Sequence, residues 1–179
     1  QFRSKLEDNL NTLRQQLINE KTDIGHYHFF RIRDPKPRHI CAAAFPERVL
    51  HHAIMNICEP VFERYAIFDS YACRKGKGSI RALHRAQHFM QSSNWYLKFD
   101  IRRYFDSIDH EVMRGQLERR VKDRVVLRLF SQLLDTYHQQ PGKGLPIGNL
   151  ISQHLSNLYL GYFDHWVTEV LGVRGYLRY

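Results

Sequence analysis

Seven residues near the middle of the chain, WYLKFDI at 95–101, constrain the fold more than any other stretch. Their aromatic and aliphatic character predicts a buried strand, and it carries a single carboxylate, Asp100, near its end. Beyond it, Val121, Val125, Leu129, Leu133 and Tyr137 recur at helical spacing. A tight glycine-bearing loop, PGKGLPIG at 141–148, follows. A long helix is expected over 150–171, with Gly172 as its cap, and a second strand over 175–179. Strand, helices, loop, long helix and strand in this order fit half of a split βαβ unit, with helices on one face of the sheet. The expected class is therefore α+β and helix-rich.

The first half reads differently. Leu6, Leu10, Leu13 and Leu17 mark one face of a helix over 3–19. Residues 21–37 lose any period among histidines, arginines and two prolines and predict a loop, and 38–44 predict a short strand. Pro46, at a position that tolerates proline, opens a helix over 46–58 striped by Val49, Leu50, Ala53, Ile54 and Ile57 and ended or kinked near Pro60. The loop SYACRKGKGS at 70–79 is cationic and conformationally permissive, and Ile80, Leu83 and Phe89 suggest another helix.

Composition narrows the partners. Hydrophobic residues make up 43% and charged residues 25%, which excludes disorder and low complexity, and the formal charge of +9 suits a polyanionic partner. Cys41, Cys58 and Cys73 form no CxxC pair and no even set, so neither zinc nor a disulfide framework is expected, and a reducing cytosol is the natural compartment. No apolar run is long enough to span a membrane, and residues 1–9 are too polar for a signal peptide. The pairs His26/His28, His51/His52 and His84/His88 lack a third ligand and read as surface or nucleic-acid-facing histidines rather than a metal site.

Four blocks, in order, carry a resemblance: KPRHICAAAFPERVLHHAI at 36–54, FDSYACRKGKGSIRALHRA at 68–86, FDIRRYFDSI at 99–108 and GLPIGNLISQ at 144–153, followed by GYLRY at 175–179. Together they resemble reverse transcriptases, RNA-directed DNA polymerases. The resemblance implies right-hand polymerase fingers with the N-terminal helix over 1–94, and a partial palm over 95–179, helical across 122–171, with the thumb absent. It implies nucleotide addition with two Mg2+ ions about 3.5–4 Å apart. Asp100 would be the catalytic carboxylate and a metal ligand, joined by the Ile101 carbonyl. Taken alone, an Asp closing an apolar strand reads as a turn or cap residue. Phe105 matches an aromatic plate beneath the incoming sugar that excludes a 2′-hydroxyl, whereas Tyr104 reads as core. Lys36 and Arg38, with Ile147 and Gly148, would form the nucleotide pocket. Arg74, Lys75, Lys77, Ser152 and Gln153 would contact template. Asp106 and Asp109 read as turn and helix-cap residues.

The pocket motif departs from the usual pattern, because Ile147 replaces a glutamine and Gln153 a proline. This combination resembles the reverse transcriptases of diversity-generating retroelements, which copy a template RNA with errors. An aliphatic side chain loses polar contacts that police nucleotide geometry, so relaxed selection is expected. The implied partners are template RNA, primer or cDNA, deoxynucleotides and a small basic accessory protein, in a bacterial or phage-encoded cytoplasmic enzyme. Alternatives are an intron, retron or defence-associated reverse transcriptase, or a non-catalytic nucleic-acid-binding truncation. Tyr179 stands at the first position of the family's second catalytic motif, so this piece alone is expected to bind nucleic acid weakly and to polymerise poorly or not at all.

Overall fold

A computed structural model describes residues 2–34 and 36–179, apart from the side chains of Arg3 and Asp34. It is mixed α+β and helix-rich, and among the described residues the only sheet has two strands. After a short 3-10 turn, α1 (Leu6–Ile18) lies on the outside with no fully buried residue. The hairpin β1 (Tyr27–Asp34) and β2 (Lys36–Ala43) follows, pairing antiparallel from Tyr27↔Ala43 to Asp34↔Lys36. The helices α2 (Phe45–Tyr65), α3 (Ser79–Met90), α4 (Tyr104–Ser107), α5 (His110–Glu118), α6 (Arg124–Asp135) and α7 (Leu150–His165) complete the chain, with a π turn over Trp166–Val170.

The core forms where α2, α5, α6 and α7 meet. On α2, Leu50, Ile54, Met55, Cys58 and Phe62 recur every three or four residues and are buried; they face Ile151, Leu155 and Leu158 of α7 and Phe130, Leu133 and Leu134 of α6. Phe62 and Phe130 meet with ring centroids 6.1 Å apart. This one cluster draws on residues from both sides of the division at 94/95. Asp109 and Asp123 cap α5 and α6, each carboxylate accepting two backbone N–H groups of the first turn.

Several sequence expectations are corrected. The loop expected over 21–37 contains β1, which projects with both faces in solvent from His28 to Arg33, so no apolar alternation marked it; Pro35 lies outside the described residues. The short strand expected over 38–44 begins at Lys36. The helix expected over 46–58, ended or kinked near Pro60, runs through that proline to Tyr65. Proline removes one backbone bond there, but Cys58 and Phe62, on either side, are buried in the core and hold the helix together.

The largest correction concerns the palm. Residues 95–101 form no regular element and pair with no strand among the described residues, and all of them are exposed, Trp95 by 80% and Leu97 by 76%. Residues 175–179 make a single bridge, Ser70↔Arg178, rather than a strand. A β-prone sequence becomes a strand only where a neighbour offers its backbone groups along its length: 95–101 pairs with none among the described residues, and 175–179 meets one only at Arg178, which bonds the backbone of Asp69 and Tyr71. Among the described residues no sheet joins 95–101 to 175–179. The helix expected over 150–171 ends at His165 and loosens into the π turn, with Gly172 at φ +64 beyond it. Trp166 is exposed and Phe163 half-buried. No helix among the described residues is long and apolar enough to cross a membrane.

Candidate nucleotide site

Backbone hydrogen bonds gather the motif residues. The stretch after Asp100 turns sharply at Arg103 (φ 50, ψ 46) into α4, and the strands of chain at 105–110 and 142–145 then pair as an irregular ribbon. Leu145 donates to the Phe105 carbonyl at 2.9 Å, Gly144 to that of Ile108 at 2.9 Å and His110 to that of Gly142 at 2.9 Å. The buried His110 ring also hydrogen-bonds the Gly144 carbonyl at 2.7 Å; burial, opposed by this bond, lowers its pKa below 6.5.

The same loop continues onto β2. Cys41 donates its N–H to the Ile147 carbonyl at 2.7 Å. Asn149, fully buried, accepts from the Ala43 N–H at 2.9 Å and donates to the Cys41 carbonyl at 2.8 Å. Gly148 sits at φ +115, and a Cβ there would stand 2.6 Å from Ile40 Cγ2, so only glycine fits. Because side chains alternate along a strand, Arg38 shares the Ile40 face of β2. The fold therefore brings Phe105, Ile147, Gly148 and the strand of Lys36 and Arg38 into one neighbourhood, with both cations exposed. Tyr104 and Phe105 are both partly buried against the core; the Tyr104 hydroxyl donates to the Ser156 carbonyl and its ring packs on Tyr159 and Phe105.

Asp100 and Ile101 are exposed. Phe99 meets Phe163 of α7 edge-on at 6.3 Å, and Phe163 in turn meets Tyr176 at 6.4 Å, so the approach to Asp100 and the segment 175–179 flank one ring. That second segment is anchored firmly. Arg178 donates to both oxygens of Asp164, which is 0% exposed, at 2.8–3.0 Å, and to Asn157 at 2.9 Å. Tyr176 adds a bond to Asp164 at 2.6 Å.

The expected template contacts divide. Arg74 is spent internally, on Glu63 at 2.8–3.0 Å and on the carbonyls of Ile67 and Ser70. Lys77 donates to the Phe68 carbonyl at 2.6 Å and lies over the Phe68 ring, and desolvation lowers its pKa. Both hold their own loop in shape, while Lys75 and Gln153 are exposed. Ser152 is buried, with no hydrogen-bond partner for its hydroxyl among the described residues, so it does not face a template.

Among the described residues no three His, Cys, Asp or Glu side chains gather as a metal cluster. Asp100 with the Ile101 carbonyl still suits Mg2+, which takes one or two protein oxygens and completes its shell with water and phosphate. Sequence reasoning missed Asn149 and Arg178. An Asn before an apolar helix reads as a cap, and nothing local tells that its amide bonds a strand 108 positions away.

No family model matches the chain. Among curated proteins it is 24% identical over 181 residues to the putative COX1/OXI3 intron 1 protein of Saccharomyces cerevisiae, covering 93% of this chain and 22% of that protein. It is 25% identical over 142 residues to the group II intron-encoded protein LtrA of Lactococcus lactis subsp. cremoris, covering 75% and 24%. Over 90 residues it is 30% identical to nuclear intron maturase 1, mitochondrial, of Arabidopsis thaliana, covering 50% and 13%. The chain thus spans less than a quarter of each of these three proteins, and its relatives are intron-encoded proteins and an intron maturase.

Proposed function

We propose that this chain is the fingers and first part of the palm of a right-hand polymerase fold, a reverse transcriptase that adds deoxynucleotides to a primer on an RNA template. The observation that carries this reading is the bonded path from Phe105 through Leu145 and Ile147 to Cys41. In this reading Phe105 is an aromatic plate, Gly148 lets a base pair approach, and Arg38 on the neighbouring strand meets the phosphates. In this reading Asp100 and the Ile101 carbonyl ligate Mg2+, which activates the primer hydroxyl and holds the triphosphate. Phe105 excludes a 2′-hydroxyl by volume, and Lys75 with Gln153 contacts template.

Two origins compete within the reading. Ile147 and Gln153 favour an error-prone enzyme of a diversity-generating retroelement, working with a template RNA and a small basic accessory protein. The intron-encoded relatives favour an intron reverse transcriptase or maturase whose partner is intron RNA. The test of the shared reading is primer extension on RNA with Mg2+, using the product of the complete reading frame beside its Asp100→Asn form. Deoxynucleotide incorporation abolished by the substitution supports it. RNA binding without incorporation by either protein would move the assignment to a non-catalytic RNA-binding module. Ile147→Gln then separates the origins: a drop in errors supports the retroelement, and an unchanged error spectrum removes the case for it.

A further inference from the structure

Residues 28–33 and 36–39 are exposed, so the pose of the hairpin β1–β2 is set at its base. There Tyr27 of β1 hydrogen-bonds the Thr136 hydroxyl at the end of α6 at 2.6 Å, and Cys41 and Ala43 of β2 are bonded to Ile147 and Asn149. A further tie closes the base onto α2. Glu47, in the first turn of α2 and 2% exposed, accepts at Oε2 from the N–H groups of Gly25 at 3.0 Å and His26 at 3.2 Å, just before β1. Ala44, just after β2, donates to the His26 carbonyl at 2.8 Å. Gly25 permits this close approach: it sits at φ +100, and a Cβ there would stand 3.0 Å from Thr136 Cγ2. The carboxylate is near enough to both strands to be felt there. Burial raises the pKa of the Tyr27 hydroxyl and pushes the Cys41 thiol up to about 12, and Glu47 adds to both shifts.

Stability alone does not account for Glu47. Its other oxygen, Oε1, is buried without a hydrogen-bond partner among the described residues, as are both ring nitrogens of His51, whose Nε2 lies 3.6 Å from it. Leaving such atoms unpartnered in the interior costs stability. What the two N–H bonds at Oε2 supply is direction, because they fix the angle at which the hairpin leaves the core helix α2. Arg38 lies five residues out from Ala43, roughly 16 Å along the strand at about 3.3 Å per residue, so a tilt of about 10° at the base carries it about 3 Å. A misplacement of about 1 Å can slow a reaction by about a hundredfold.

We propose that Glu47 is a positioning residue for nucleotide addition: its buried carboxylate sets the pose of the hairpin and through it the place of Arg38. This rests on the reading of Arg38 as a nucleotide-binding residue given above. Glu47 itself touches no substrate in this proposal and acts only through the strand that carries Arg38.

The test uses the product of the complete reading frame as wild type, Glu47→Asp, Glu47→Gln, Arg38→Ala and the Glu47→Asp/Arg38→Ala pair. Each is melted to confirm folding and assayed for addition of dGTP to a primer on RNA in Mg2+. Glu47→Asp keeps the charge but draws the oxygen back by one methylene, and should raise the KM for dGTP roughly tenfold while kcat changes less than about twofold. Glu47→Gln keeps an acceptor oxygen for both N–H groups and should stay within about twofold of wild type. On the Arg38→Ala background Glu47→Asp should add less than about twofold, since a residue that acts through Arg38 then has nothing left to place. An unchanged KM in Glu47→Asp, or the same rise on both backgrounds, overturns the positioning role and leaves the site reading standing. Where Glu47→Asp does not fold, Glu47→Gln decides: a folded Gln form with KM near wild type supports the acceptor role, and one with KM raised roughly tenfold overturns it. Arg38→Ala with an unchanged KM for dGTP overturns the reading of Arg38 itself, and this inference falls with it.

Discussion

Residues 95–101 and 142–149 are both apolar stretches of the motif region, yet they end in opposite states. In the second, Leu145 is buried, and Gly144, Leu145, Ile147 and Asn149 all bond to chain that lies far away in sequence. In the first, Trp95, Tyr96, Leu97 and Phe99 stand in solvent, although their sequence is the more strand-like. The difference teaches that hydrophobicity supplies the drive to be covered, while the partner decides whether covering happens. The loop has two partners, the 105–110 ribbon and β2; the would-be strand meets Phe163 of α7 through Phe99.

The comparison can be sharpened by truncating the same residue type in both settings. Leu155→Ala, in the core beneath the loop, should lower the unfolding free energy by about 2–5 kcal/mol, since it removes contacts and leaves a cavity. Leu97→Ala should change it by less than about 0.5 kcal/mol. Urea denaturation of both variants checks this, and a large loss from Leu97→Ala would mean that 95–101 is covered in solution.

A smaller effect is expected where the loop meets β2. Asn149→Ala strands the Ala43 N–H and the Cys41 carbonyl and should destabilise by about 1–3 kcal/mol. Amide hydrogen exchange should show faster exchange at Ala43 and Cys41, with residues of the α6 core little changed. Exchange that quickens evenly throughout would show that loop and core unfold as one.

The smallest effect is on pH. Burial holds His110 neutral below its ordinary value of 6.5, so the folded state binds fewer protons there than the unfolded chain. Stability is full above 6.5 and falls as pH drops from there towards the lowered folded value. His110→Gln keeps a donor for the Gly144 carbonyl and should flatten that decline. Equal acid sensitivity of wild type and His110→Gln in denaturant midpoints would assign the decline to other groups, such as His154, whose pKa burial also lowers.

Much of the helical frame was legible in order. The stripe Leu50, Ile54 named α2, Leu129 and Leu133 named α6, and Asp109 read correctly as a cap, because helix periodicity and capping are local. β1 was illegible, since a hairpin exposed on both faces needs no alternation. Of the site, the motif positions of Phe105, Ile147 and Gly148 were legible as candidates, and the structure draws them together with β2. The commitment of Arg74 to Glu63 and the burial of Ser152 were not, because a cation in a glycine-rich loop reads the same whether its partner is solvent, phosphate or a carboxylate of α2.

The sequence by itself determined which segments are helical, that Asp109 caps α5, and that the chain is basic and carries Asp100 in a motif resembling that of reverse transcriptases. Tertiary structure alone decided that Pro60 stays inside α2, that Asn149 ties the loop to β2, that Arg178 locks to Asp164, and that residues 95–101 go unpaired. The physical reason is range. Periodicity and caps are satisfied within a few residues, whereas a buried amide, a buried ion pair and a strand each need a partner that only the fold can bring.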